Sequence, residues 1–191
     1  FRQVQEGTGN ALDVDSYDRY YRHLILWDED ELEIIGSYRI GEASEILREY
    51  GEIGLYTNSL FRFEPGLMPY LEHAIELGRS FIQPRYQGKR SLDYLWYGIG
   101  AYLHQHPEVN YLFGSVSMSN AWPEPAQKLI AQFYTALFGM DKKLCEPKTP
   151  FQFSTVNTFA SGNDSASEAE YKLAYSLLKE NLEHYGVKVP V

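Results

Sequence analysis

"ELGRSFIQPRYQGKRSLDYLWYGIGAYL", Glu76 to Leu103, is the stretch on which the fold turns. Its head closes an apolar run, Ala74–Ile82, in which Glu76 and Arg79 are the only charges. That run predicts a β-strand stopping short of Pro84. A loop with Arg85, Gly88, Lys89 and Arg90 follows. From Ser91 to Gln105 bulky and small residues recur at helical spacing, which predicts a helix with Ser91 as its N-cap. A strand that enters a helix through a glycine loop aims backbone N–H groups and the positive helix end at one point. Phosphate is the natural guest there. Three basic side chains would strengthen such a site in a chain whose net charge is -9. A solvated loop whose charges only keep it soluble is the other reading.

Working outward, His23–Asp28 and Leu32–Ile40 predict a β-hairpin around an acidic turn. Ser44–Gly51 predicts a short helix closed by Gly51. Pro65, Gly66 and Pro69 break any long element between Gly54 and Glu72. Asn110–Ser119 predicts another strand and Pro123–Phe138 another helix, ended by Gly139. Phe151–Phe159 alternates like a half-exposed strand. Ser165–Gly186 predicts an amphipathic helix, acidic at its start and with glycine at its end. Asn157–Ser167 has linker-like composition. Strands alternating with helices predict an α/β (α+β) domain around one central sheet.

The 191 residues suit a single domain, 1–191, with length enough for a real core. Overall acidity argues against a nucleic-acid partner, because phosphate-backbone binding needs a basic face. One cysteine excludes an intramolecular disulfide framework, and zinc-type spacing is absent. No run approaches the roughly 18 apolar residues of a membrane span. A cytoplasmic setting is expected. Phe1 at the start and "GVKVPV" at the end read as a piece cut from a longer polypeptide.

The run "IQPRYQGK" before an apolar helix resembles the donor-binding segment of the GCN5-related N-acetyltransferase superfamily. There a Q/R-x-x-G-x-G/A loop cradles the pyrophosphate of an acyl donor between a strand and a helix. Set on Gln87, that pattern puts Arg90 and Leu92 where small residues belong, which hinders close approach of the backbone to a pyrophosphate. The resemblance then implies a donor with a single phosphate, the phosphopantetheine of acyl carrier protein; an acyl-CoA is the alternative donor, and no permanently bound cofactor is expected. Phe81 and Ile82 at the strand end, with Arg85, Gln87, Gly88, Lys89 and Arg90, would hold it. An acidic carrier protein would dock on this basic lip.

"VDSYD", "GSYRI" and "ELGRS" supply Asp15, Asp18, Arg39, Glu76 and Arg79 in an order similar to acyl-homoserine-lactone and N-acyl amino acid synthases. From about Asp13 to Phe138 the layout resembles the ornithine-lipid synthases, the ornithine N-acyltransferases called hemolysin-like. This implies a mixed, mostly antiparallel sheet flanked by helices, lacking here the leading strand and helix and the last strands. It further implies transfer of a long, 3-hydroxylated acyl group to an amino acid's amine, with ornithine the expected acceptor. The product would be a lyso-lipid, which brings the protein to the inner face of the membrane. Some members are fused to a second acyltransferase. Glycine, tyrosine and lactone-forming amines are rival acceptors, and an idle donor-binding module is a rival of another class.

Such a transfer needs a neutral amine, a stabilised oxyanion and a protonated leaving thiol. Glu76 is the candidate to take the amine's proton, directly or through one water. A salt bridge to Arg79 or Arg39 is its structural alternative. Residues three apart on a regular strand face opposite sides, so a Glu76–Arg79 contact requires a bulge, whose exposed N–H groups could polarise the thioester. Arg39 and Arg79 lie in apolar runs and need partners: Asp15, Asp18, Glu76 or a substrate carboxylate. Helix capping is the rival role for Asp15 and Asp18. Superfamily members often use a tyrosine as general acid within A-x-x-x-Y-x-x-x-G. Ending that pattern on Gly139 puts Thr135 in its place, so Tyr134, one step away, is the candidate acid or a core residue. The aromatics of "LDYLWYGIGAYL" should mostly be core, with an acyl tunnel as the alternative. His23 and Asp28 spell H-x-x-x-x-D, but five residues apart on a strand they face opposite sides. His104 and His106, without further ligands, make no metal site.

Overall fold

A computed structural model of the protein describes residues 14–139, 143–153, 159 and 167–188. They gather into two compact units: 14–116 with 144–149, and 117–139 with 143, 150–153, 159 and 167–188. Apart from Phe159 and Ser167, the linker expected at 157–167 lies outside the described residues, as do 189–191.

The first unit is built on a four-stranded mixed sheet in the order β1-β2-β4-β5. Strands β1 (Arg22–Asp28) and β2 (Glu33–Glu42) form the expected hairpin. Its acidic turn is held by Asp28, whose Oδ1 accepts from the Asp30 and Glu31 N–H groups at 3.0 Å each. Strand β4 (Ala74–Ile82) pairs antiparallel with β2, and β5 (Tyr111–Phe113) lies parallel to β4. Between them run α1 (Ala43–Tyr50), α2 (Tyr56–Leu60), β3 (Phe61–Phe63) and α3 (Met68–Leu71), the short pieces that Pro65, Gly66 and Pro69 permit. Strand β6 (Cys145–Pro147) pairs antiparallel with β3, a ribbon the sequence did not suggest.

Helix α4 (Ser91–Gln105) packs on β1 and β2. Gly98 lies against Leu24, and the Trp96 ring stands 6.2 Å from that of Tyr38, the register partner of Leu24. On the other side Tyr21, Ile46, Leu55, Phe63, Leu71 and Ala74 form an apolar cluster. Any side chain at Gly41 would run into the Tyr21 ring and Ile46, so only glycine lets these close over β2.

The second unit is a helix pair. Helices α5 (Glu124–Phe138) and α6 (Glu168–Glu183) bury Ala126, Ile130 and Phe133 against Ala174, Leu178 and Leu182, with Phe159 and Val187. These spacings are the 3.6-residue stripe of an amphipathic helix. Helix α6 starts with a capping box, in which Ser167 Oγ accepts from the Glu170 N–H and Glu170 accepts from the Ser167 N–H.

Three expectations need correction. The strand expected over Asn110–Ser119 stops at Phe113, where pairing with β4 ends and Gly114 meets the Leu77 carbonyl. Ser91 is not the N-cap of α4: Arg90 is, and Ser91 Oγ instead donates to the Tyr86 carbonyl at 3.2 Å. The aromatics of α4 are not mostly core, since Tyr94, Trp96 and Tyr97 are about half exposed while Leu95 and Ile99 are buried. Among residues 151–153 no strand forms.

Candidate active site

The centre of the first unit is polar. Arg39 on β2 and Glu76 on β4 are each 1% exposed. Burial at that level demands partners, and the sequence supplies them from far away. Residues 16–19 form a 3-10 turn for which Asp15 is the N-cap. Asp15 Oδ1 accepts from the Tyr17 and Asp18 N–H groups at 2.9 and 3.2 Å, and Asp18 accepts from the Asp15 N–H at 2.8 Å. The same carboxylates take Arg39: its NH1 lies 2.8 Å from Asp15 Oδ1 and 2.8 Å from Asp18 Oδ1. Capping and ion pairing, the two rival roles, are therefore both filled. Burial pulls the Asp18 carboxyl upward, but the Asp15 N–H, the Arg39 guanidinium and the charges of Arg39 and Arg79 outweigh it and hold it below its ordinary value.

The Nε and NH2 of Arg39 are buried without a hydrogen-bond partner among the described residues. What surrounds the guanidinium is aromatic: its Cζ lies 5.5, 5.0 and 5.5 Å from the ring centres of Tyr17, Tyr21 and Tyr56. Ring faces attract a cation, and desolvation strengthens that attraction.

Strand β4 carries the kind of bulge that a Glu76–Arg79 contact would need, but it brings Arg79 to Asp15. Arg39 pairs with Gly78 and Ser37 with Phe81, so β4 spends Arg79 and Ser80 opposite Tyr38 alone. Arg79 takes φ 46°, the left-handed region that a branched chain seldom enters. The bulge turns its NH2 to within 2.9 Å of Asp15 Oδ2, so Arg79 and Arg39 share one carboxylate.

Glu76 has other partners. Its Oε1 accepts from the Thr57 N–H at 2.6 Å and the Thr57 hydroxyl at 2.5 Å, and its Oε2 from the Tyr56 N–H at 3.0 Å and the Tyr21 hydroxyl. A carboxylate offers about four acceptor positions, and all are used. Burial, and next the Glu76 charge, push the Tyr21 phenol far above its ordinary value, so it keeps its proton. Tyr21, Tyr56 and Thr57 escaped the sequence reading. For Tyr21 the sequence offered only the tyrosine-rich run "YDRYY" around Asp18, and nothing marked Tyr56 or Thr57.

The loop after β4 is less free than its composition suggests. Arg85 pairs with Glu33 and lies over the Tyr86 ring, with Lys89 Nζ 5.2 Å from the same ring centre. Arg90 reaches Asp93 at 3.4 Å and the Tyr97 hydroxyl at 3.2 Å. Gln87 Nε2 donates back to the Ile82 carbonyl at 3.1 Å, closing the loop on the strand end. Gly88 has φ 74°, which a side chain would strain. Phe81 and Ile82 pair with Ser37 and Gly36. Tyr134, on α5 in the second unit, is 45% exposed, its ring against Phe133 and Phe138. It is therefore not a buried core residue.

An open cleft of ≈ 50 Å³ between Tyr20, Arg22, Glu42, Glu45 and Tyr50 includes no residue of the bulge, and Arg22 there pairs with Glu42 and Glu45. Among the described residues no three His, Cys, Asp or Glu side chains could hold a metal ion. Nor is any helix among them long and apolar enough to cross a membrane.

Comparison with known proteins gives this geometry a family. The chain is 32% identical over 202 residues to a glycine N(alpha)-acyltransferase of Phocaeicola vulgatus, covering 100% of this chain and 61% of that protein. A glycine N(alpha)-acyltransferase of Bacteroides thetaiotaomicron is 31% identical, covering 100% of this chain and 59% of its own. An L-ornithine N(alpha)-acyltransferase of Brucella abortus is 30% identical over 119 residues, covering 58% of this chain and 40% of its own. The chain thus spans about three fifths of the length of the glycine-named relatives. No solved structure matches it. The family model described as an acetyltransferase (GNAT) domain matches residues 1–97, the part that holds the bulge, Glu76 and the arginine–aspartate cluster, and the chain belongs to that family.

Proposed function

We propose that the protein is an N-acyltransferase that moves a long acyl group from the phosphopantetheine thioester of acyl carrier protein to the α-amine of a small amino acid. Glycine is the first acceptor in this reading. The observation that carries it is the likeness to glycine-named acyltransferases along the whole chain. Ornithine is the second, supported by ornithine-named relatives that are 30–32% identical over 56–64% of the chain. A 3-hydroxylated chain, a lyso-lipid product and work at the inner membrane face belong to either form of the proposal.

In this reading the acyl thioester lies along β4 beyond the bulge, against Phe81 and Ile82. Its phosphate is held by the loop from Arg85 to Arg90 and the N-terminus of α4. Backbone N–H groups of the bulge polarise the thioester carbonyl and stabilise the oxyanion. Asp15, Asp18 and Arg39 shape the acceptor side, with Arg79 tied to the same carboxylate. Glu76 takes the proton of the attacking amine. Because its acceptor positions are filled, the proton arrives through the Thr57 hydroxyl or through a water that replaces one donor. The departing sulfur collects a proton from water and leaves as the free thiol.

Full-length protein is incubated with long-chain acyl carrier protein and with glycine, ornithine, alanine or tyrosine, and release of the free thiol is followed. Glycine-dependent release supports the reading, and ornithine-dependent release selects its second form. No release with any amine, from protein that binds the acyl carrier protein, would make the domain an idle donor-binding module.

A further inference from the structure

Two polar clusters meet in the first unit. One is Asp15, Asp18, Arg39 and Arg79; the other is Glu76 with the turn at Tyr56 and Thr57. Tyr21 touches both. Its ring lies beneath the Arg39 guanidinium, 5.0 Å from Cζ, and its hydroxyl meets Glu76 Oε2. The residue is 5% exposed, so water does not compete for these contacts.

The direction of that hydroxyl bond follows from its neighbours. The Tyr56 N–H points at the Tyr21 oxygen from 3.0 Å and makes it an acceptor there. The phenol's single proton then has two targets, the Gly54 carbonyl at 3.4 Å and Glu76. Gly54 already accepts from the Tyr20 hydroxyl at 2.9 Å. A carboxylate is the stronger acceptor, so the proton points at Glu76. The other charged or titratable groups around this pair are Arg39 from β2, Asp15, Tyr17, Asp18 and Tyr20 from the first turn, Tyr56 from α2 and Arg79 from β4.

We propose that Tyr21 is a positioning residue for Glu76: its hydroxyl fixes the carboxylate at Oε2 and sets how readily that carboxylate takes up a proton. A donor aimed at the charged form favours it. Removing the hydroxyl therefore makes Glu76 more basic and leaves Oε2 with the Tyr56 N–H as its one remaining donor among the described residues. The effect on proton uptake stands by itself. The effect on turnover rests on the reading of Glu76 as the proton acceptor.

The test uses the full chain with Tyr21→Phe, 3-fluorotyrosine at position 21, and Tyr102→Phe as the comparison, whose hydroxyl meets Arg22 and Glu42 instead. Glutamates carrying ¹³C at the side-chain carboxyl are titrated by NMR, and Glu76 is identified by the signal absent from Glu76→Gln. The acid limb of kcat/KM is measured with long-chain acyl carrier protein and glycine. Loss of one hydrogen bond to a charged group raises the Glu76 midpoint by about one to two pH units. Fluorotyrosine, a stronger donor of the same shape, lowers it, and Tyr102→Phe leaves it in place. If Tyr21→Phe fails to fold, the fluorotyrosine protein still gives the sign. An unmoved midpoint in the variants that fold overturns the proposal. If the midpoint moves and the acid limb moves with it, both the proposal and the role of Glu76 stand. If the midpoint moves while the acid limb does not, the positioning stands and Glu76 loses its place as the base.

Discussion

The two units hold themselves together by different means. The helix pair of the second unit has an apolar core of Ala126, Ile130, Phe133, Ala174, Leu178 and Leu182, and among the described residues of this unit the buried polar side chain is Ser119, which carries no charge. The sheet unit buries Arg39 and Glu76 at its centre as completely as any leucine. Apolar burial depends on area, at about 25 cal/mol per Å², and does not ask which apolar group is present. A buried ionic network depends on every member being satisfied, and loses more when one is removed than it gains by being there. The first kind of core tolerates drift in sequence. The second does not, and it lies in the part matched by the family model.

The sharpest way to break this comparison is Arg39→Ala. It leaves Asp15 and Asp18 without their buried cation and is expected to cost about 3–5 kcal/mol, measured by urea unfolding. A loss under about 1 kcal/mol would mean that the cluster is not structural. Leu178→Ala, fully buried in the helix pair, should cost about 3 kcal/mol through lost burial and a cavity. That loss should be the same at pH 4 and pH 7, since no ionisable group lies in this core; a strong pH dependence would contradict the contrast.

Asp18 sharpens it from the other side. Its carboxyl is held below its ordinary value of 3.8, so the stabilisation is present above that value and is lost as pH falls through the lower folded one. Asp18→Asn should cost about 1–2 kcal/mol at neutral pH and flatten this acid limb of the stability curve. An unchanged limb would assign the acid sensitivity elsewhere. The smallest folding effect is expected for Lys89→Glu, whose side chain reaches only the Tyr86 ring among the described contacts: within about 0.5 kcal/mol. Its effect belongs to binding, where reversed charge should weaken acyl carrier protein about tenfold at low salt and leave acetyl-CoA less affected. Equal loss for both donors would argue that the loop does not recognise the carrier protein.

Elements with a strong period or a cap were legible from sequence. The hairpin, β4, α5 and α6 fall close to where alternation, helical spacing, an acidic start and a closing glycine put them. The bulge could be stated as a condition, because parity along a strand is arithmetic. Which carboxylate meets which arginine stayed open among Asp15, Asp18, Glu76 and a substrate carboxylate, with capping as a rival role for the two aspartates; the structure uses Asp15 and Asp18 for both. The partners of Glu76 were out of reach. Tyr21 and Thr57 stand 55 and 19 residues away, and nothing local marks a tyrosine or a threonine as a carboxylate's donor. The aromatics of α4 misled because bulk alone does not show facing: the small stripe of Leu95 and Ile99 is buried, and the larger rings are not.

The extra residue in β4 has a consequence for changes in length. Between Gly78 and Phe81 the strand carries one more residue than β2 does, so every side chain beyond Arg79 is placed by a count. Deleting Ser80 would remove no contact described above and would keep Phe81 opposite Ser37, yet it would return Arg79 to strict alternation opposite Tyr38, on the face opposite to that of Glu76. A single-residue deletion at this point should therefore act as a change of side-chain direction, felt at Arg79 and its contact with Asp15, while the pairing of Phe81 and Ile82 with β2 stays in place.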